Sequence, residues 1–197
     1  MTKRSDPKEQ ALAVDAKAAS AMRRREHSPA VRALEYVADL GDQPQMRALC
    51  GAVIAIGLFA GDRRLARTGW RMLAAHSVAT LAKDYIKHRV DRTRPRSAAK
   101  PGKDHRPRRG RSTAKEETSF PSGHSAGALA VARAFARDYP EHALPAYAGA
   151  AILALAQIPR CAHYPTDVGA GLALGAAAEA GVSLAFDALG HPSHRHA

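Results

Sequence analysis

The chain has 197 residues, 46% of them hydrophobic but only 5% aromatic. That length suits one domain, and an alanine-rich, aromatic-poor core points to packed helices rather than a β-sandwich; the two cysteines, Cys50 and Cys161, exclude a disulfide scaffold and read as buried free thiols. The net charge of +12 is uneven, with twelve Lys or Arg against four Asp or Glu in residues 87–117 (12 − 4 = +8), which argues for an anionic partner.

Residues 1–28 read as a polar, partly helical tail and the least ordered part, because alanines alternate with charges and no broad apolar stripe develops. No cleaved signal is expected, since Asp6, Glu9 and Asp15 interrupt the segment and no apolar run follows Arg23-Arg24-Arg25 within reach. A domain over 29–190 follows, with a short tail at 191–197. Its apolar periodicity predicts six helices, near 30–39, 45–60, 64–86, 123–138, 143–158 and 166–188, separated by Gly, Pro or charge clusters.

The segment Leu49 to Ala60 is apolar throughout, Ala143 to Ile158 nearly so, and Val168 to Phe186 carries only Glu179 as a charge. A bilayer crossing needs roughly 20 apolar residues, a length that only the last segment approaches. Gly171 and Gly175 form a GxxxG face inside it, suited to close helix packing in a membrane or in a soluble bundle. Between Lys87 and Pro121 the sequence is rich in Arg, Lys, Pro, Ser and Gly and has no apolar period. It reads as a long basic loop between the third and fourth core helices.

Three clusters carry chemistry. In Pro121-Ser122-Gly123-His124, Ser122 is placed to cap a helix whose free N–H groups form an anion site. Gly123 there allows close backbone approach, and His124 stands where it can donate a proton. His163 and Asp167 are four apart with Pro165 between them, so the carboxylate can fix the imidazole tautomer. The same spacing also suits a metal pair with His124 as a third ligand, or Asp167 as a plain helix cap. Lys87 ends a helical pattern and Arg94 precedes Pro95; both fit a cation pair gripping phosphate oxygens, or a dipole-complementing lysine and a solvated arginine.

Lys87, six intervening residues, Arg94-Pro95, then Pro121-Ser122-Gly123-His124, then His163 with Asp167 resembles the three-part signature of the type 2 phosphatidic acid phosphatase superfamily, which also includes bacterial acid phosphatases and vanadium haloperoxidases. The resemblance covers about residues 45–188. It implies an all-α fold, a six-helix bundle of the PAP2/haloperoxidase type, and a metal-independent phosphatase that needs no cofactor. On that pattern His163 forms a phosphohistidine, Asp167 orients it, and His124 protonates the leaving group. Lys87, Arg94, Ser122 and the Gly123 backbone hold the phosphoryl oxygens.

One position departs. The family's third part usually begins Ser-Arg, whereas this chain has Ala156-Gln157 and an arginine three positions later, at Arg160, taken as the replacement phosphate ligand. The substrate expected is a phosphomonoester or diphosphate, of a phosphatidic acid or isoprenoid diphosphate type of lipid, and the protein a multi-pass one of the bacterial inner membrane, with a soluble form as the alternative. The competing readings are a basic protein binding an anionic membrane or nucleic acid without catalysis, and a vanadate-dependent haloperoxidase. Nucleic acid is the weaker partner, because no aromatic residues interleave with the basic ones.

Overall fold

A computed structural model describes residues 6–26, 28–98 and 105–190. Seven α-helices run through it: α1 (Pro7–Arg23), α2 (Pro29–Asp39), α3 (Gln43–Phe59), α4 (Arg63–Lys87), α5 (Gly123–Asp138), α6 (Ala143–Leu155) and α7 (Pro165–Gly190). The last six coincide with the six predicted from periodicity. Local chemistry sets their starts: Ser28, Asp62 and Ser122 each accept a first-turn N–H, and Pro29 stands at the first helical position of α2. The tight turn from α3 into α4 uses Gly61 at φ +67°, a backbone conformation that a side chain would strain.

The core lies among α3, α4, α5 and α7 and is built from small side chains. Cys50, Ala75, Ala79, Ala130 and Ala134 are fully buried, and both cysteines are free thiols inside. Small residues matter here because they set helix spacing. A Cβ on Gly171 would stand 2.4 Å from the Ser122 carbonyl oxygen, and one on Gly175 would stand 2.3 Å from that of Ala126. The GxxxG face of α7 therefore packs onto the start of α5, and bulk at either glycine would push the two helices apart.

The basic stretch is mostly irregular, as expected, with a short antiparallel pair, β1 (Val90–Asp91) and β2 (Arg108–Arg109), and a 3₁₀ turn at Lys115–Glu117. Backbone pairing and a buried carboxylate order it without an apolar core. The Ser112 N–H donates to Asp91 Oδ1 at 2.8 Å, and Gly110 passes so close to that carboxylate that a Cβ would overlap it. Residues 99–104 of this loop, residues 1–5 and 27 of the N-terminal segment and the tail at 191–197 lie outside the described residues.

The structure differs most from the sequence reading at the N-terminus. Residues 7–23 form a helix docked on the domain, with Leu12, Asp15 and Ala19 buried. A buried carboxylate, not an apolar stripe, anchors it: Asp15 pairs with Arg92 at 2.6 Å and accepts the Thr166 N–H at 3.1 Å. Hydrophobic periodicity cannot register that kind of anchor.

Candidate active site

The C-terminal part of α4, the N-terminal end of α5, the turn between α2 and α3, the segment between α6 and α7 and the basic loop converge on a cavity of about 300 Å³. Lys87, Arg94, Gly123, His124, Arg160 and His163 line it, six of the eight residues singled out in the sequence. Lys87 closes α4 and donates through Nζ to the Thr118 carbonyl. Arg94 is held by the 3₁₀ turn, donating from Nε to the Lys115 carbonyl at 2.7 Å and from its backbone N–H to that of Glu116 at 2.8 Å. Among the described residues neither cation has a carboxylate in ion-pair range, so both keep donors for a ligand.

Ser122 stands behind this wall. It is fully buried, and its Oγ accepts from the Ser125 N–H at 3.4 Å and from the Ser125 hydroxyl at 2.8 Å. Its hydroxyl is committed to the cap of α5, whose first turn presents Gly123 and His124 to the cavity. A Cβ at Gly123 would come 2.9 Å from Lys83 Cδ, so the glycine lets a second lysine stem cross the helix start.

His163 and Asp167, both buried, approach at 3.7 Å between Nδ1 and Oδ2, an electrostatic contact longer than a formed hydrogen bond. That leaves Nε2 as the nitrogen free to react. Burial pushes the His163 imidazole down to about 4, against the opposing pull of Asp167. Asp167 is itself fixed from behind. Arg92 Nη1 donates to Oδ1 at 2.6 Å, the Tyr164 N–H donates to Oδ2 at 2.9 Å, and Arg92 also grips Asp15 of α1. A buried Asp15–Arg92–Asp167 chain thus runs from the first helix to the imidazole.

Arg160 lines the cavity. Its Nη1 is 3.5 Å from Gln157 Oε1 and its Nη2 3.6 Å from Asp39, while buried Gln157 donates to the Leu153 carbonyl at 3.1 Å. Gln157, where the family carries arginine, therefore braces an arginine brought in from the loop. Sequence reasoning missed Asp42, whose Oδ1 lies 3.0 Å from His124 Nε2, and the cavity residues His76, Thr80 and Lys83. Lys83 and Thr80 share the face of α4 that carries Lys87, a periodicity signal open to use; Asp42 and Asp15 gave none.

A model of the PAP2 superfamily matches residues 68–190 of this chain. Lipid A 1-phosphatase of Rhizobium johnstonii is 47% identical over 58 residues, a match that spans 29% of this chain and about a quarter, 24%, of that protein. The crystal structure of a transmembrane PAP2 type phosphatidylglycerolphosphate phosphatase from Bacillus subtilis shares the fold, with a TM-score of 0.66 at 20% identity over 97% of this chain and 91% of that one.

Proposed function

The chain belongs to the PAP2 superfamily, and from that premise we propose that it hydrolyses a phosphate ester or diphosphate carried by a lipid, through a phosphohistidine and without a metal ion. One observation carries the reading: the imidazoles of His124 and His163, together with Lys87 and Arg94, which among the described residues have no carboxylate in ion-pair range, come from four separate stretches of chain to line a single cavity. Preorganised donors around the equatorial oxygens of a phosphoryl group are what its transfer requires.

His163, uncharged at neutral pH, attacks phosphorus through Nε2 while the bond to the lipid oxygen breaks, and His124 hands that oxygen a proton. Burial holds the His124 imidazole below its ordinary range, and Asp42 at 3.0 Å opposes this by favouring the charged form that gives the proton up. Water then attacks the phosphohistidine, His124 takes the proton back, and phosphate leaves with the His163 lone pair restored. Lys87, Arg94 and Arg160 hold the oxygens through both steps.

A lipid substrate is supported by an apolar groove of about 460 Å³ along α3, α4, α5 and α6, lined by Met46, Val53, Met72, Val131 and Leu153. Both relatives named above act on lipid phosphates. A membrane setting is supported by α7, where Pro165–Leu189 is long and apolar enough to cross a bilayer, and by outward apolar side chains such as Leu81, Leu144 and Leu155.

The test is phosphate release from a lipid phosphate in detergent micelles. His163→Ala is expected to abolish turnover without changing the melting profile, and excess chelator to leave the wild-type rate intact. Turnover retained by the variant would overturn the phosphohistidine route, and chelator loss restored by zinc or magnesium would overturn metal independence.

A further inference from the structure

We infer that His76, Thr80 and Lys83 form a subsite for hydroxyl groups, so that the substrate is a lipid phosphate whose headgroup is a polyol of the glycerol or sugar type. This rests on the phosphatase reading and narrows its substrate class.

Met72, His76, Thr80, Lys83 and Lys87 recur along α4 at intervals of four, four, three and four, one face of a helix. At 1.5 Å per residue the face is about 22 Å long. Its chemistry changes in order along that length. Lys87 belongs to the phosphoryl end; Lys83, Thr80 and His76 line the same cavity further down; Met72 lines the apolar groove. Neighbouring α3 repeats the change within one turn, Gln43 lining the cavity and Met46 the groove. A phosphate, a polar middle and an apolar chain follow one another in the same sequence in an amphiphile.

The facing helix is cut to fit this stripe. A Cβ at Gly123 would meet the Lys83 stem, and one at Gly127 would stand 2.9 Å from His76 Nδ1. Two glycines four apart on α5 thus make room for two polar side chains of α4.

His76 points to the ligand. It is 2% exposed, and among the described residues neither ring nitrogen makes a hydrogen bond of full geometry, with only a loose approach to the Gly127 backbone. A buried imidazole left so is unfavourable unless something entering the cavity pairs it. A neutral imidazole offers one donor and one acceptor, and the Thr80 hydroxyl offers both. A hydroxyl-bearing ligand answers each, whereas a second phosphate, which only accepts, would leave the imidazole acceptor unpaired. Lys83 adds donors, and its charge is already met by Asp84 at 2.6 Å. The stripe therefore supplies hydrogen bonds rather than a second anion site.

The full chain in detergent micelles decides the matter, using lipids of matched acyl chains: phosphatidylglycerol phosphate for the glycerol arm, a lipid-linked sugar 1-phosphate for the sugar arm, and phosphatidic acid, which lacks headgroup hydroxyls. The wild type is expected to prefer at least one hydroxylated lipid over phosphatidic acid by about 10²-fold or more in kcat/KM, since a site built to pair a hydroxyl rejects the analogue without it. His76→Leu should narrow that preference at least tenfold, mainly through KM, and Thr80→Val should act in the same direction. The arm that suffers more identifies the polyol.

A wild-type preference for phosphatidic acid, or a preference unmoved in both variants, would overturn the subsite. Failure of the wild type to hydrolyse any phosphate ester would instead overturn the phosphatase reading. A thermal-shift arm reads the subsite without turnover: glycerol 3-phosphate should stabilise the wild type more than inorganic phosphate does, with the difference lost in His76→Leu. Equal shifts would overturn the inference whatever the kinetics.

Discussion

The two ends of the helix bundle use arginine and lysine in opposite ways. At the far end Arg71 is buried with both guanidinium arms occupied, by Asp138 at 2.6 Å and Asp187 at 3.1 Å. Glu179, buried in α7, accepts from Arg133 and Arg137 at 2.9 Å each and from the Ser183 hydroxyl at 2.6 Å. At the cavity end, Arg92 apart, which fastens Asp15 and Asp167, Lys87 and Arg94 donate among the described residues to backbone carbonyls alone, and Arg160 reaches a carboxylate no closer than 3.6 Å. Charges paired inside the protein fasten helices to one another; charges held in place by carbonyls and left without counter-ions are kept for something that arrives. A chain of net charge +12 is thus two populations, and pairing rather than number separates them.

Arg94→Ala breaks that comparison most sharply. Removing one preorganised donor to the transferring phosphoryl group should lower kcat on the order of 10²-fold or more. The melting temperature should stay close to wild type, because the side chain fastens only a carbonyl of the loop. A large loss of stability with little loss of rate would place Arg94 with the structural arginines instead.

Asp15→Asn tests whether the N-terminal helix belongs to the catalytic end. Asp15 touches Arg92, Arg92 holds Asp167, and Asp167 faces the imidazole, so Asp15 is a positioning residue two contacts removed. The expected result is a fall in kcat of about tenfold with KM little changed, a magnitude typical of a second-layer partner. Repeating the substitution in an Asp167→Asn background should erase the effect, because the route to His163 is already cut. The same factor in both backgrounds would show that Asp15 serves stability alone.

At the other end, Glu179→Ala should leave kcat/KM within about twofold while costing on the order of 1–3 kcal/mol in denaturant unfolding. Arg133 and Arg137 are partly exposed at 35% and 40%, so water takes over some of what the carboxylate supplied. A drop in rate that outstripped the drop in stability would join the two ends functionally.

Much of this was legible in the chain. Six helices announced themselves because apolar period and caps agree, as at Ser122 before α5. The proposed catalytic cluster was legible because its members sit in short motifs of recognisable spacing. Asp15 was not: a lone carboxylate among alanines and lysines looks solvated until Arg92, 77 positions on, is folded against it. Asp42 stands at the N-cap position of α3, and its approach to His124 depends on how the turn between α2 and α3 meets α5. Ser122 shows the converse, since its motif is legible but only the fold reveals that the hydroxyl caps the helix while the backbone after it faces the cavity.

The smallest expected effect is a displacement in pH, and it separates the two ends once more. Burial holds the His163 imidazole near 4, with Arg94 and Lys87 adding to the depression and Asp167 opposing it. The reacting nitrogen has a lone pair only when the ring is neutral, so kcat/KM should fall as pH drops through about 4, after allowance for the substrate phosphate, which titrates near pH 6. The unfolded histidine titrates near 6.5, so between those values the unfolded chain binds more protons. Stability should therefore decline as pH falls through that window, and His163→Gln should flatten the decline in melting temperature. Because Arg94 disfavours the charged ring, Arg94→Ala should move the acidic limb to higher pH, whereas Glu179→Ala, whose charge is already spent on two arginines at the far end, should leave it in place. A limb that moved equally in both variants would mean that His163 responds to the net charge of the whole bundle, and the distinction between arriving and fastened charge would fail at the residue on which the chemistry turns.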